Sequence, residues 1–491
     1  MTAVVIALLI VPAVAAVASL WLPGRAAGLV TSASGVASFA LVLTLVPAAA
    51  HRDLAGPGFL RVDALSVVFL LASAFLYGCV AVYSVGYLGT AAHGERDERY
   101  ARRFWAGLNL FAWSMLAAPV MGNLALLWVA IEVTTIVSAL LVALEGTDGA
   151  AEAAWKYVLL ASAGLAIALL GTIFLYYAGS RVLGPEYNLA FGPLLAVAGR
   201  LPHTVVRLAF VLAVLGFGTK VGLFPVHTWL PDAHSEAPTP VSALLSGSLL
   251  AVSFYAILRF YQVAQAALGP RFPRDVLLAF GVASLLLAAL YLLDQRDYKR
   301  LLAYSSVEHM GILAIGVSFG APIALAGVLL HVLAHAAAKG NAFMGAGVLV
   351  RKFASKQISS VRGGLDLLPW SGPLFLAAIL ALSAMPPFGI FRSEFEIVTG
   401  GLAASANAAA AILVVLVTVA FFGLSLAANR MLLTPRRERP GEPALARGEP
   451  SAWMVVPVVA GLVALLVLGL HPPADLTGLL ARAVAALRGA A

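Results

Sequence analysis

Two polar side chains draw attention because of where they fall. Lys220 lies in the run Gly216-Phe217-Gly218-Thr219-Lys220-Val221-Gly222-Leu223-Phe224-Pro225, and Glu132 ends the apolar run Leu126-Leu127-Trp128-Val129-Ala130-Ile131. Glycines and a proline interrupt a helix around Lys220, and a helix broken at depth frees backbone groups for an ion or water. A lysine in such a place can act as both acid and base, which an arginine cannot. Glu132 is its natural partner, since a carboxylate beside an ammonium stays ionised and takes up a proton when the ammonium moves away. The plainer readings are a Glu132 satisfied by the hydroxyl of Thr134 or Thr135 and a Lys220 that snorkels from a helix end. The apolar run continues past Lys220 to Leu230, which weighs against the second.

The next segment, Val226 to Pro240, carries His227, Asp232, His234 and Glu236 between prolines. Its spacing matches no metal-ligand pattern, and it reads as a re-entrant polar loop that brings water to Lys220. His331, His335 and Lys339 repeat every four residues and share one helix face. Two histidines so spaced suit a metal, but no third ligand is obvious and the His-Glu-x-x-His pattern is missing. A relay is the better reading, because imidazole exchanges protons near neutral pH. Glu394 lies just beyond Pro386-Pro387, a second broken helix with a charge beside the break.

Composition says what scaffold must hold these groups. The chain has 491 residues, 62% hydrophobic and 11% charged, whereas a soluble chain carries roughly 25% charged residues. Apolar runs long enough to cross a hydrocarbon core of ~30 Å recur throughout. They are too long for barrel strands and do not alternate, so they are helices, whose backbone groups find partners in their own segment. The expected fold is an all-α polytopic membrane protein with fourteen spans, near 2–22, 27–48, 62–88, 104–121, 123–144, 154–178, 204–230, 239–264, 275–293, 301–318, 321–350, 371–398, 407–433 and 451–470. Spans 7 and 12 are the interrupted ones, five apart, as a five-helix inverted repeat requires. The expected units are 1–103, a first repeat 104–264, a second repeat 275–433, and 434–491 with the last span. Met1 to Leu22 lacks a basic n-region and a clear cleavage site, so it reads as a first span.

Lys156, Lys220, Arg259, Lys339, Arg392 and Arg430 fall inside spans, together with Glu132, Glu308, His309, His331, His335, Glu394 and Glu396. Each charge near mid-bilayer costs about 2.5–3.5 kcal/mol or more, so these groups must face each other, water or protein. Loops after odd-numbered spans hold sixteen Lys/Arg against nine on the other side, which puts the odd loops in the cytoplasm and both termini outside. Pro435 to Pro450 reads as a linker, and Ala474 to Gly489 as a short helix lying on the membrane surface. The net charge of +8 is scattered over short loops and forms no nucleic-acid face. Cys79 stands alone, so neither a disulfide framework nor a cysteine metal cluster is expected. No Walker, dinucleotide, nucleophile-elbow or Cys-x-x-Cys motif occurs, so no cofactor and no redox site of the chain's own are expected.

At these residues the chain resembles the proton-conducting subunits shared by respiratory complex I, membrane-bound group 4 hydrogenases and multisubunit cation/proton antiporters. The likeness spans roughly residues 60 to 430 and is most specific at 220–240 (KVGLFPVHTWLPDAHSEAPTP), 297–311 (DYKRLLAYSSVEHMG) and 386–395 (PPFGIFRSEF). The second stretch and Trp155-Lys156-Tyr157 are most like hydrogenase-4 component F and its formate hydrogenlyase relatives. The resemblance implies inverted repeats over spans 4–8 and 9–13. It assigns a proton relay to Glu132, Lys220, His227, His234, His331, His335, Lys339 and Glu394, with Lys156, Arg259 and Glu308 in support. Many relatives carry a lysine in span 8 where this chain has Ala251, so the middle of the relay is expected to use water, Ser246, Ser248 or His234. Arg392 stands where relatives are usually apolar. The implied function is proton translocation in the plasma membrane, beside other membrane subunits and a cytoplasmic redox module, with oxidoreductase status only through that complex. The alternatives are a subunit of a multisubunit Na+/H+ antiporter and the membrane partner of a bicarbonate-concentrating complex.

Overall fold

Backbone polar groups in hydrocarbon need partners inside their own segment, and the chain meets this with helices almost throughout. The structure, a computed structural model, describes residues 2–55, 59–89, 95–436 and 445–489. Arg437 and Arg439 of the expected linker, and the side chain of Arg96, lie outside the described residues. Helices α1 (Thr2–Ser19) and α2 (Gly24–His51) lead to two short antiparallel strands, β1 (Leu54–Ala55) and β2 (Arg61–Val62). There follow α3 (Ala64–Gly89), α4 (Glu95–Ala117), α5 (Leu124–Val142), α6 (Asp148–Leu183), the short α7 (Phe191–Ala196) and α8 (His203–Val221). Then come α9 (Leu230–Glu236) and α10 (Thr239–Leu244), the latter running through a π turn at Leu245–Leu249 into α11 (Leu250–Leu268). Next are α12 (Arg271–Leu292), α13 (Tyr298–Phe319), α14 (Pro322–Phe353), the short α15 (Gly364–Leu367), α16 (Ser371–Leu382) and α17 (Gly389–Ala403). The chain closes with α18 (Asn407–Ala428), α19 (Val456–Leu470) and α20 (Ala474–Arg488).

Twelve of the described helical segments are long and apolar enough to cross a membrane. The other two of the fourteen expected spans explain themselves. Helix α4 is 23 residues long but opens on the charged run Glu95 to Arg103, and the 371–398 span is split into α16 and α17. The apolar eighteen residues of the α10–α11 span and of α13 are wholly buried and those of α14 89% buried, whereas those of the span that begins with α18 are only 28% buried. The innermost helices are thus surrounded by protein, and they carry six of the thirteen in-span ionisable groups, among them all three in-span histidines; that is how these charges escape lipid.

Small residues let these helices approach closely. A Cβ built on Gly216 of α8 would lie 2.7 Å from Ala168 Cα on α6, and one on Gly281 of α12 would lie 2.9 Å from the Gly311 carbonyl on α13. Gly216→Ala is therefore expected to destabilise the chain by about 1–3 kcal/mol, the usual cost of overpacking, seen as a lower thermal-unfolding midpoint of the full chain in detergent.

Two expectations need correction. The segment after Lys220 is not a loop throughout. Gly222, with φ +85°, ends α8 in the left-handed region, and after an irregular stretch the chain re-forms as the mostly buried helix α9, where Pro231 in the first turn removes no needed donor. The tail helix α20 does not present its apolar stripe outward. Leu476, Leu479, Leu480, Ala483 and Leu487 are buried where α20 packs on α2 and α3, and Gln262 and Gln265 of α11 donate to the carbonyls of Ala486 and Leu487 at 3.0 Å each. Protein already supplies the partners that the membrane surface was expected to give.

Candidate functional site

The break after α8 places Lys220 at a helix end that is nonetheless fully buried. Its ammonium donates to Thr135 Oγ1 of α5 at 2.8 Å and to the Tyr157 hydroxyl of α6, and it stands 4.6 Å from the Tyr157 ring centre. The Tyr157 and Ser138 hydroxyls are 2.8 Å apart. Glu132 sits one turn before Thr135 on α5, half-buried; its Oε1 accepts from Ser162 of α6 at 3.0 Å, while Oε2 is buried without a protein partner. The two expected partners, Glu132 and Lys220, form no ion pair within 4.0 Å. Nor do Thr134 and Thr135 satisfy the carboxylate: Thr134 bonds the Ile131 carbonyl and Thr135 receives Lys220. Each charged group is held by hydroxyls, leaving the pair separate.

From Tyr157 a line of rings runs inward. Tyr157 and Trp229 are 4.4 Å apart between ring centres, Trp229 and His234 6.1 Å, and His234 and Phe343 of α14 5.7 Å. Trp229 Nε1 donates to the Thr219 carbonyl at 2.7 Å, fastening the α9 segment to the end of α8. His234 Nδ1 donates to Leu230 O at 2.7 Å, so its Nε2 keeps a lone pair, buried and unpartnered in the protein. Of the hydroxyls expected near Ala251, Ser246 meets Ser306 of α13 at 2.7 Å, and Ser248 meets Ser73 of α3 at 2.7 Å. Ser246 therefore links the π turn to α13, whereas Ser248 points away toward α3. His227 is buried at the break, beside the Phe224 ring, with Nδ1 unpartnered.

A second cluster lies where α13, α14 and α17 meet. Lys339 donates to Leu302 O at 2.9 Å and to the Ser305 hydroxyl. His309 Nδ1 and His331 Nε2 are 3.1 Å apart, His331 Nδ1 lies 2.9 Å from Ser393 Oγ, and Glu394 Oε1 is 4.0 Å from His309 Nδ1. The His335 ring is 5.2 Å from that of His309, with neither nitrogen partnered in the protein. Glu308 is buried with Oε2 unpartnered. His309, counted among the in-span groups without a role, proves to be central, since it is the side chain that joins the α14 stripe to Glu394. Tyr157, Ser162 and Ser393 were also not assigned; a hydroxyl inside a span gives little signal until its neighbours are known.

Two supporting residues lie elsewhere. Lys156 is half-exposed, bridging Glu152 at 2.6 Å and Asp232 at 3.4 Å, while Asp232 also meets Arg300 at 2.8 Å. These pairs, with Lys356–Glu236 at 2.8 Å, ring the end of α9 beside an open polar hollow of 470 Å³. Lys299 reaches the Ser235 and Ala237 carbonyls there, at 2.9 and 2.6 Å. Arg259 instead pairs with Asp63 at 2.7 Å, in a knot that includes Tyr255, Ser66 and Gln262. Arg392 pairs with Glu396 at 3.0 Å on the outer side of α17.

The family model described as NADH:quinone oxidoreductase/Mrp antiporter, transmembrane, matches residues 121–421. The chain is 37% identical over 365 residues to a hydrogenase-4 component F homolog of Methylacidiphilum infernorum, covering 74% of this chain and 77% of that one. It is 33% identical to NADH-quinone oxidoreductase subunit N of Desulforudis audaxviator, over 84% of this chain and 81% of the relative. A chain of the respiratory complex I structure from Thermus thermophilus superposes with a TM-score of 0.76 at 26% identity, covering 97% of this chain and 100% of that one.

Proposed function

We propose, for a chain that belongs to the NADH:quinone oxidoreductase/Mrp antiporter transmembrane family, that its buried polar groups carry protons across the plasma membrane as one subunit of a larger respiratory-type oxidoreductase complex. One observation carries this reading. Lys220, His234, Glu308, His309, His331, His335, Lys339 and Glu394 are all buried inside the helix bundle, and four of them, His234, Glu308, His309 and His335, keep a ring nitrogen or carboxylate oxygen unpartnered in the protein. A merely structural polar group is normally satisfied, because leaving it unpaired costs about 1–3 kcal/mol. Groups that gain and lose a proton, or hold water that does, keep such free positions.

The two half-satisfied groups of the first cluster suggest the cycle. With Lys220 held by Thr135 and Tyr157, Glu132 is released to take a proton. With Lys220 swung to Glu132, the carboxylate is held ionised and the proton passes on. A redox module on the cytoplasmic side supplies the energy, transmitted through neighbouring membrane subunits as a shift of Lys220 between these partners. The charged ring around Asp232 and Lys156 then marks the cytoplasmic mouth, since Arg296, Lys299 and Arg300 belong to the loops richer in basic residues. Helices of 104–264 and of 275–433 form the two repeats in this reading, and Glu132 with Lys220, and Lys339 with Glu394, are their respective working groups.

The assembled complex in proteoliposomes, turning over its electron donor, is expected to move protons in sodium-free buffer, read with an entrapped pH dye. Proton movement that appears only with Na+ on the opposite side would overturn this reading in favour of an Na+/H+ antiporter subunit. Tyr157→Phe is expected to slow proton movement about tenfold, the scale of one lost hydrogen bond to a charged group, in a chain that still folds and unfolds cooperatively at a modestly lower thermal midpoint.

A further inference from the structure

The sequence offers His331 and His335 without a third ligand; folding supplies the rest. His309, from α13, and Glu394, from α17, come to His331 of α14 so that one ligand atom from each of the three lies within 4.8 Å of the others, all buried. The 3.1 Å between His309 Nδ1 and His331 Nε2 is close to the ~3.3 Å edge of a tetrahedron of ligands at zinc–nitrogen distance. The outer partners agree. Ser393 donates its hydroxyl to Ile390 O at 2.8 Å, so its oxygen accepts from His331 Nδ1. That bond fixes the His331 ring and leaves the Nε2 lone pair aimed at His309, the arrangement in which metal-binding histidines are usually held.

We propose that His309, His331 and Glu394 form a site for one divalent transition-metal ion of the zinc type. Binding needs one internal proton shift: the proton on His309 Nδ1 moves to its Nε2, now buried and unpartnered, and Nδ1 turns its lone pair to the ion. A protonated Glu394 releases its proton to solvent. His335, with both nitrogens unpartnered and its ring 5.2 Å from that of His309, closes the fourth position by a side-chain rotation. Glu394 and Glu308 balance the two positive charges. Lys339, the opposing cation, is directed toward Leu302 O and Ser305. A bound ion would also stop the relay; that consequence rests on the function proposed above, whereas the binding does not.

The test uses the full chain purified without a polyhistidine tag, in lipid nanodiscs, titrated with Co2+ alone and with Zn2+ in competition. The wild type is expected to bind one equivalent, with the intense visible absorption of four-coordinate cobalt that Zn2+ abolishes. His309→Gln, His331→Gln and Glu394→Gln are each expected to weaken binding at least about tenfold, and His203→Gln, outside the cluster, to leave it unchanged. Glu394→Gln preserves shape and keeps the comparison valid should a histidine variant misfold. Absence of a stoichiometric site in the wild type, or equal binding in Glu394→Gln, overturns the proposal. Binding with proton movement unaffected by Zn2+ leaves the site standing and removes the relay from it.

Discussion

Lys220→Ala is expected to slow coupled proton movement by on the order of 100-fold or more, the lower range for removing a positioned proton-transfer group, while the redox partners continue to oxidise their donor. The side chain is fully buried and ends between Thr135 and Tyr157. No other lysine among the described residues reaches that position. Lys220→Arg separates charge from exchange. A guanidinium keeps the positive charge but does not give up a proton at ordinary pH, so this variant is expected to be about as inactive as the alanine. Proton uptake by reconstituted complex, normalised to donor oxidation, is the measurement. Near-normal coupling in Lys220→Arg would show that the charge alone suffices and that Lys220 is not an exchanging group.

Arg259→Ala is expected to have the largest effect on stability, about 3–5 kcal/mol, because it takes from a buried carboxylate its close counter-charge and leaves only the part-exposed Arg61 at 4.0 Å. Arg259 and Asp63 are 4% and 5% exposed. Arg259 donates to Asp63 Oδ1 at 2.7 Å and to Tyr255 OH at 2.7 Å, and its guanidinium lies 4.8 Å from the Phe191 ring centre. Asp63 Oδ1 also accepts from Ser66 N at 2.9 Å, so the pair ties the start of α3 to α11. A second change should restore much of the loss: Asp63→Asn with Arg259→Met removes both charges and keeps most of the volume. Thermal unfolding of the wild type, Arg259→Ala and the double variant in the same detergent checks this. A double variant as unstable as Arg259→Ala would mean that packing and the ring contacts, not the unpaired charge, dominate.

Arg259 also shows where reading the chain in one dimension fails. A basic residue inside an apolar run is visible as costly, but whether it serves transport or architecture depends on which carboxylate reaches it, and Asp63 is almost two hundred residues away. Lys156 fails for the opposite reason. It opens an apolar helix, yet its stem leaves it half-exposed among Glu152, Asp232 and the rim. Glu132 and Lys220 stand out in the sequence as ionisable groups inside apolar runs, but their separation through Thr135, Tyr157 and Ser162 is not legible there, because a hydroxyl adds nothing to a hydropathy pattern until a charge is placed against it.

The sequence by itself determined the class of fold, both breaks and which segments carry ionisable groups. These follow from the local requirement that backbone in hydrocarbon bond to itself and from glycine and proline failing to do so in mid-helix. Only the tertiary structure decided which charges meet. His309 becomes the bridge between His331 and Glu394, α20 covers its own apolar stripe with α2 and α3, and Ser246 turns to α13 while Ser248 turns to α3. The physical reason is one of range: helix formation is settled within a few residues, whereas a hydrogen bond or ion pair acts over about 3–4 Å between segments far apart in the chain.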